Sequence, residues 1–326
     1  MRRYSTILAT TRSRSPGCAK TEPSELKRRQ ASASNRAHHW WTWRLFGLLF
    51  LLVLPAWAQA KPTLIWLLRD LPPLTILEGP KKGQGVIDQL MPMLIAGMPQ
   101  YEHTLMRVNR ARGLQMLHEH PFACDPSLLW NRERAQWIAF SIPAFRAVSN
   151  GLVARRKDRE MLEPFLVEEQ VDLSAYLANG ERKVGVVAER SYGEYVDNLL
   201  RQAPIGSLTP HYGNDALSSL LSMQRLGRLQ AVLGYWPEIR YQARQVQIAE
   251  DELEFFPVHG AEKYISSHVG CTDTTQGRQA IREIDQLLRT LPHEHLNQLY
   301  AQWLDPEMRP DYLEQARFFF QQQAAQ

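Results

Sequence analysis

Cysteine is scarce, with three in 326 residues, too few for a disulfide scaffold. No apolar run approaches the roughly 20 residues that a membrane-crossing helix needs, and a mean hydropathy of −0.37 excludes a multi-span membrane protein. No segment repeats at a fixed period, so solenoids and propellers drop out. Gly83-Gln84-Gly85 lacks both the Walker spacing and the third glycine of a dinucleotide fingerprint. Ser191 and Gly193 follow Glu189, where a hydrolase elbow needs glycine. Two His-Glu-His triplets, at 118–120 and 293–295, put imidazoles at i and i+2, on different sides of a helix, and neither extends to H-E-x-x-H. No catalytic set is recognisable; no cofactor or metal is expected.

What is present begins with charge. The whole chain carries +4, which ordinarily suggests an anionic partner such as nucleic acid. The basic residues cluster, however, ahead of a short apolar run at 45–54 (LFGLLFLLVL), which is followed by Pro55 and Ala58-Gln59-Ala60. That order is the n-region, h-region and A-x-A site of a secretory signal, so cleavage after Ala60, export to the periplasm and no stable membrane span in the mature chain are expected. Residues 1–60 hold ten of the 38 Lys/Arg and two of the 34 Asp/Glu, leaving 28 basic against 32 acidic side chains, a net charge of −4. A mildly acidic chain lacks the electrostatic footprint of phosphate-backbone binding, and nucleic acid is dropped as a partner. Export also places Cys124 and Cys271 in an oxidising space, where two remaining thiols can pair or stay buried and free; the sequence leaves both open.

From Lys61 onward β-rich runs alternate with helical patterns, which argues for α/β lobes with largely parallel sheets. Residues 63–69 read as a strand, and Val86, Ile87, Leu90, Leu94 and Ile95 recur at helical spacing. A strand over 101–108, a helix over 110–119 capped by Asn109, and a strand from Pro121 toward Leu129 follow. A strand at 149–155 leaves this unit. The second unit repeats the rhythm, with strands at 183–188, 207–212 and 229–235 and helices at 191–201 and 214–226. Strands at 252–258 and 264–271 precede an amphipathic helix marked by Ile281, Ile284, Leu287, Leu288 and Leu291, and two helices finish the chain.

The stretch Leu128 to Pro143 (LLWNRERAQWIAFSIP) resembles the signature of family 3 periplasmic solute-binding proteins, Ser-x-Thr-x-x-Arg, four residues, Phe-Ser, one residue, Pro. Asn131 stands for the capping threonine and Arg134 for the arginine, with Phe140, Ser141 and Pro143 in register. Pro72-Pro73, residues 183–191 and Gly227-Arg228-Leu229-Gln230-Ala231 match further family segments in order, so the resemblance spans nearly all of the chain after the leader. It implies a two-lobed periplasmic-binding-protein-like fold, each lobe a mostly parallel sheet flanked by helices, joined by two crossings. Lobe 1 is expected at 61–152 plus 259–326, lobe 2 at 153–258.

The residues carry a physical reading of their own. A helix starting after Asn131 would point free N–H groups forward, and Arg134 one turn in would add a planar fork able to hold a carboxylate. From the second lobe Ser191, as a helix cap, together with Arg190 and Tyr235 would approach the ligand, and Trp130, Tyr192, Tyr235 and Trp236 would form an aromatic wall. Three residues depart from the family. Tyr235 stands where amino-acid receptors place the acid that accepts from the ligand's ammonium, Gln230 replaces an aspartate, and Leu71 sits where an aromatic platform belongs. The expectation is an exported protein that closes around a small carboxylate-bearing molecule, working with an ABC permease or a membrane sensor. Its rival is a periplasmic, dehydratase-like enzyme on the same scaffold, for which Glu189 is the nameable acid.

Overall fold

The computed structural model describes residues 60–180 and 182–325. The expected leader lies outside them but for Ala60. In chain order the first elements are β1 (Thr63–Leu68), α1 (Val86–Gly97), β2 (Glu102–Arg107), α2 (Arg110–Glu119), β3 (Ala123–Leu128) and β4 (Ile138–Val148). Next come β5 (Gly151–Arg155), β6 (Leu166–Val167), β7 (Gln170–Val171), α3 (Leu173–Ala178), β8 (Val184–Val187), α4 (Glu194–Arg201), β9 (Leu208–His211), α5 (Ala216–Arg225), β10 (Ala231–Gly234), α6 (Trp236–Gln245) and β11 (Leu253–Pro257). The chain ends with β12 (Tyr264–Thr272), α7 (Thr275–Thr290), α8 (His293–Ala301) and α9 (Arg309–Ala324).

The long strands form two sheets, ordered β2-β1-β3-β12-β4 and β11-β5-β10-β8-β9. Each combines a parallel trio (β2-β1-β3; β10-β8-β9) with antiparallel strands at the side where the chain changes sheet. This is the two-lobed α/β architecture. The first change of sheet falls between Val148 and Gly151, so Gly151 and Leu152 pair within the second sheet; the return falls between Pro257 and Tyr264. The two crossing segments are tied together, Ser149 N–H donating to the Lys263 carbonyl at 3.0 Å.

The periodicities explain the layers. In α1 the residues Val86, Ile87, Leu90 and Leu94 are fully buried, and in α7 Ala280, Ile284 and Leu288 are, all in one core with Leu64 and Trp66 of β1. Each such valine, isoleucine or leucine contributes about 1.5–3 kcal/mol by leaving water. The second sheet is covered on both faces: Leu152 and Ala154 enter one core while Val153 enters another, and Ala231 and Leu233 alternate in the same way with Val232. That explains why these strands read as unbroken apolar runs. At the start of α7 the Thr274 side chain accepts from Gly277 N–H at 3.1 Å, and a Cβ on Gly277 would lie 1.9 Å from the Thr272 carbonyl oxygen, so only glycine lets the helix begin this close to β12.

Strands β4, β6 and β7 and helices α3 and α6 escaped the sequence reading. Strand β4 contains Pro143, which ordinarily argues against a strand; it is tolerated because β4 is an edge strand and Pro143 faces His268 where the register with β12 shifts. Helix α6 begins with Pro237 in its first turn, a legible start signal.

His293, at the start of α8, stacks on Phe320 with ring centroids 3.8 Å apart, and its Nε2–H donates to the Leu288 carbonyl at 2.7 Å. Burial lowers its pKa below 6.5, against the raising effect of that bond. A histidine buried neutral contributes stability that is present above its unfolded pKa and lost as pH falls toward the depressed folded value. Melting temperature is therefore expected to fall as pH drops below about 6.5, and more shallowly in His293→Phe; parallel pH profiles for the two proteins would contradict this.

Candidate functional site

The segment after β3 does not form the expected α-helix. It makes a turn closed by Asn131, whose Oδ1 accepts from Arg134 N–H at 2.8 Å and whose carbonyl accepts from Ala135 N–H at 3.0 Å, and then a single 3₁₀ turn over Arg134–Gln136. The capping role of Asn131 is real, but three residues of 3₁₀ helix supply little macrodipole, so any anion pocket here rests on side chains. The same turn holds Arg134 inward: it is 7% exposed, and its Nη2 donates across the lobes to the Glu189 carbonyl at 2.9 Å. Asn131 reaches the same lobe through Nδ2, 3.5 Å from an Asp197 carboxylate oxygen.

The opposing surface is the turn from β8 into α4. Glu189 adopts a left-handed conformation (φ 58°), which a side chain rarely does. The turn aims its carbonyl at Arg134. Glu189→Gly removes this strain, and a gain of about 1 kcal/mol is expected from denaturant titration; an unchanged or reduced midpoint would show that the turn carries no strain. The Glu189 side chain is exposed and lines the outer opening of the cleft, not its enclosed part. Ser191 is not the helix cap; Gly193 occupies that position with φ 97°. The Ser191 hydroxyl instead donates to Asp197, whose other oxygen accepts from Tyr192 N–H at 2.7 Å, so Asp197 ties the turn to its own helix.

Arg190 is committed elsewhere. Its two terminal nitrogens donate to both carboxylate oxygens of Glu238 at 2.8 and 2.7 Å, with side chains only 4% and 6% exposed. Burial works against its charge, and Glu238 outweighs that, holding its pKa above the ordinary arginine value. The aromatic wall does not form. Trp130 is 42% exposed and lines a separate groove with Tyr192 and Tyr195, and Tyr192 turns its hydroxyl to accept from Val187 N–H. Trp236 stacks on Phe255 and donates Nε1–H to Asp305 in the first lobe at 2.9 Å. Of the four, Tyr235 alone lines the enclosed cleft, where burial raises its pKa against the opposing effect of Arg190. Gln230 accepts from Lys183 N–H at 2.8 Å, an architectural bond.

Between the lobes lies an enclosed space of about 30 Å³, room for about a water or two. It is bordered by Arg69, Arg110, Arg134 and Arg190, with Ser127 and Ser191 also in its wall. Arg69 is paired: it grips Asp125 through two bonds of 2.8 and 3.0 Å. Sequence reading missed Arg69, Arg110 and Glu238. Arg69 at the end of β1 carried a legible signal, since ligands of open α/β sheets gather at strand carboxyl ends. Among the described residues no group of three His, Cys, Asp or Glu could hold a metal ion.

Cys124 and Cys271 face each other across β3 and β12, and their sulfurs are bonded. Among the described residues no helix is long and apolar enough to cross a membrane.

No known family model and no curated protein matches the sequence. Solved structures do. An amino acid ABC transporter substrate-binding protein from Streptococcus pneumoniae bound to L-arginine superposes with a TM-score of 0.56 at 16% identity, over 74% of this chain and 94% of that one. The VFT2 domain of Bordetella pertussis BvgS gives 0.54 at 16% identity, over 74% and 94%. A histidine kinase sensor domain with similarity to periplasmic binding proteins gives 0.56 at 14%, over 75% and 96%. The fold is thus that of the two-lobed periplasmic binding proteins, shared with transport receptors and sensor domains.

Proposed function

We propose that this chain is an exported, periplasmic solute-binding protein whose lobes close around a small carboxylate-bearing molecule for an ABC importer or a membrane sensor. The observation that carries the reading is Arg134, buried on the first lobe, fixed by the Asn131 turn and already reaching the second lobe. A guanidinium so placed can hold a carboxylate while its neighbours contact the opposite face, and contact with both faces is what makes a ligand favour the closed state. Similar folds that serve an importer and that serve as sensor domains support both partner classes. Lobe 1 is assigned to residues 61–150 plus 259–326 and lobe 2 to the segment between, with the signal peptide removed after Ala60.

The test is a thermal-shift screen of the exported protein against amino acids, dicarboxylates and aromatic acids, followed by calorimetry on the hit. A ligand that binds only the folded state raises the melting temperature. Arg134→Ala is expected to weaken the hit by about 1.5–3 kcal/mol, roughly 10- to 150-fold in Kd. Unchanged affinity would remove Arg134 from the site, and turnover of the hit would replace the binding role by an enzymatic one.

A further inference from the structure

We infer that the occupant of the interlobe cleft carries two anionic groups and no ammonium, as a small dicarboxylate does, and that Arg110 is its second anchor beside Arg134. The inference rests on the solute-binding reading and narrows its ligand. It starts from charge accounting within the enclosed space. Of the four arginines bordering it, Arg69 is neutralised by Asp125 and Arg190 by Glu238, each through two hydrogen bonds in a buried pair. Arg134 donates only to a neutral carbonyl, and the Arg110 Nε is shut off from solvent with no hydrogen-bond partner.

Two guanidinium groups therefore face the cleft without a carboxylate of their own. Burial and the neighbouring arginines push both pKa values down: for Arg110 the neighbours are Arg69, Arg190 and Arg134, for Arg134 chiefly Arg69. Their charges repel one another in a space with little water to screen them, and an anion between them relieves that repulsion.

The acids in reach give the second half. An α-amino acid needs an acceptor for its ammonium. Asp125 is held by Arg69 and by Ser127 N–H, Glu238 by Arg190, and Asp197 by Ser191 and Tyr192 N–H. Tyr235, the remaining polar side chain on that side of the cleft, is kept neutral by burial. Glu133 and Glu189 line only the outer opening, so no carboxylate beside the enclosed space is free to receive a cation, whereas two cations there are free to receive carboxylates. Arg110 stands at the start of α2, far in sequence from the motif containing Arg134.

The experiment compares succinate, aspartate, butyrate and inorganic phosphate by thermal shift and calorimetry on the exported protein. Succinate is expected to bind at least tenfold more tightly than butyrate, which lacks the second carboxylate, and than aspartate, which adds the ammonium. Phosphate distinguishes a doubly charged inorganic anion from an organic diacid, and tighter binding of phosphate than of succinate overturns the dicarboxylate assignment. In Arg110→Met the advantage of succinate over butyrate is expected to vanish. The unliganded melting temperature of that variant is expected to rise, because an unpaired buried charge has been removed; a fall would mark Arg110 as structural and overturn its role as an anchor. Binding of aspartate or butyrate as tight as that of succinate, dependent on Arg134, would overturn the dianion while leaving a solute-binding protein. Failure of all four probes, with a hit of other chemistry in the broader screen, would overturn it in the same way.

Discussion

Glu238→Ala is expected to destabilise the protein by about 3–5 kcal/mol, because it leaves the Arg190 guanidinium buried without its carboxylate. The pair is almost fully enclosed, and the Arg190 Nε already lacks a partner, so little water is at hand to compensate. Arg190 also lies among Arg69, Arg110 and Arg134 around one space, so losing Glu238 removes a negative charge from a region already rich in positive charge. Urea titration checks the size of the loss. The double variant Arg190→Met, Glu238→Leu, which removes both charges, is expected to recover most of it. A loss below about 1 kcal/mol in the single variant would mean that water reaches the pair, as at an exposed ion pair.

Removing the disulfide is expected to have an effect of similar size. The bond joins residues separated by 147 positions, and the chain-entropy relation assigns such a loop about 5 kcal/mol. For a protein of this length that corresponds to a fall in melting temperature on the order of 10 °C. Calorimetry of Cys124→Ala, Cys271→Ala against the parent measures it, and thiol titration of the unfolded parent is expected to find neither cysteine free. A fall of less than about 2 °C would show that the cross-link constrains the unfolded chain far less than its span implies.

The helices with strong apolar periodicity were legible because a 3.6-residue pattern has one reading: Ile281, Ile284 and Leu288 marked α7, and all three are buried. The parallel strands β1, β8 and β10 were legible as apolar runs for a related reason, since strands covered on both faces have no polar alternation to confuse them. Strand β4 was not, because Pro143 reads as a breaker until an edge position and a shifted register make room for it. At the site, Asn131 and Arg134 stood out through the resemblance of the stretch 128–143 to the signature of family 3 solute-binding proteins. Ser191 and Arg190 were legible as neighbours of the cleft, but their commitments to Asp197 and Glu238 were not. Nothing local in the chain distinguishes an arginine that is already paired from one that is free.

The sequence by itself determined the alternation of strands and helices, the acidic balance of the residues after position 60, the capping position of Asn131 and, through the family resemblance, the two-lobed class. Only the tertiary structure decided which charges cancel. Arg69 meets Asp125 across 56 positions and Arg190 meets Glu238 across 48, while Arg110 and Arg134 are left facing a common space. Electrostatic pairing depends on distance through space and on burial, and neither is set until the sheets and helices have packed.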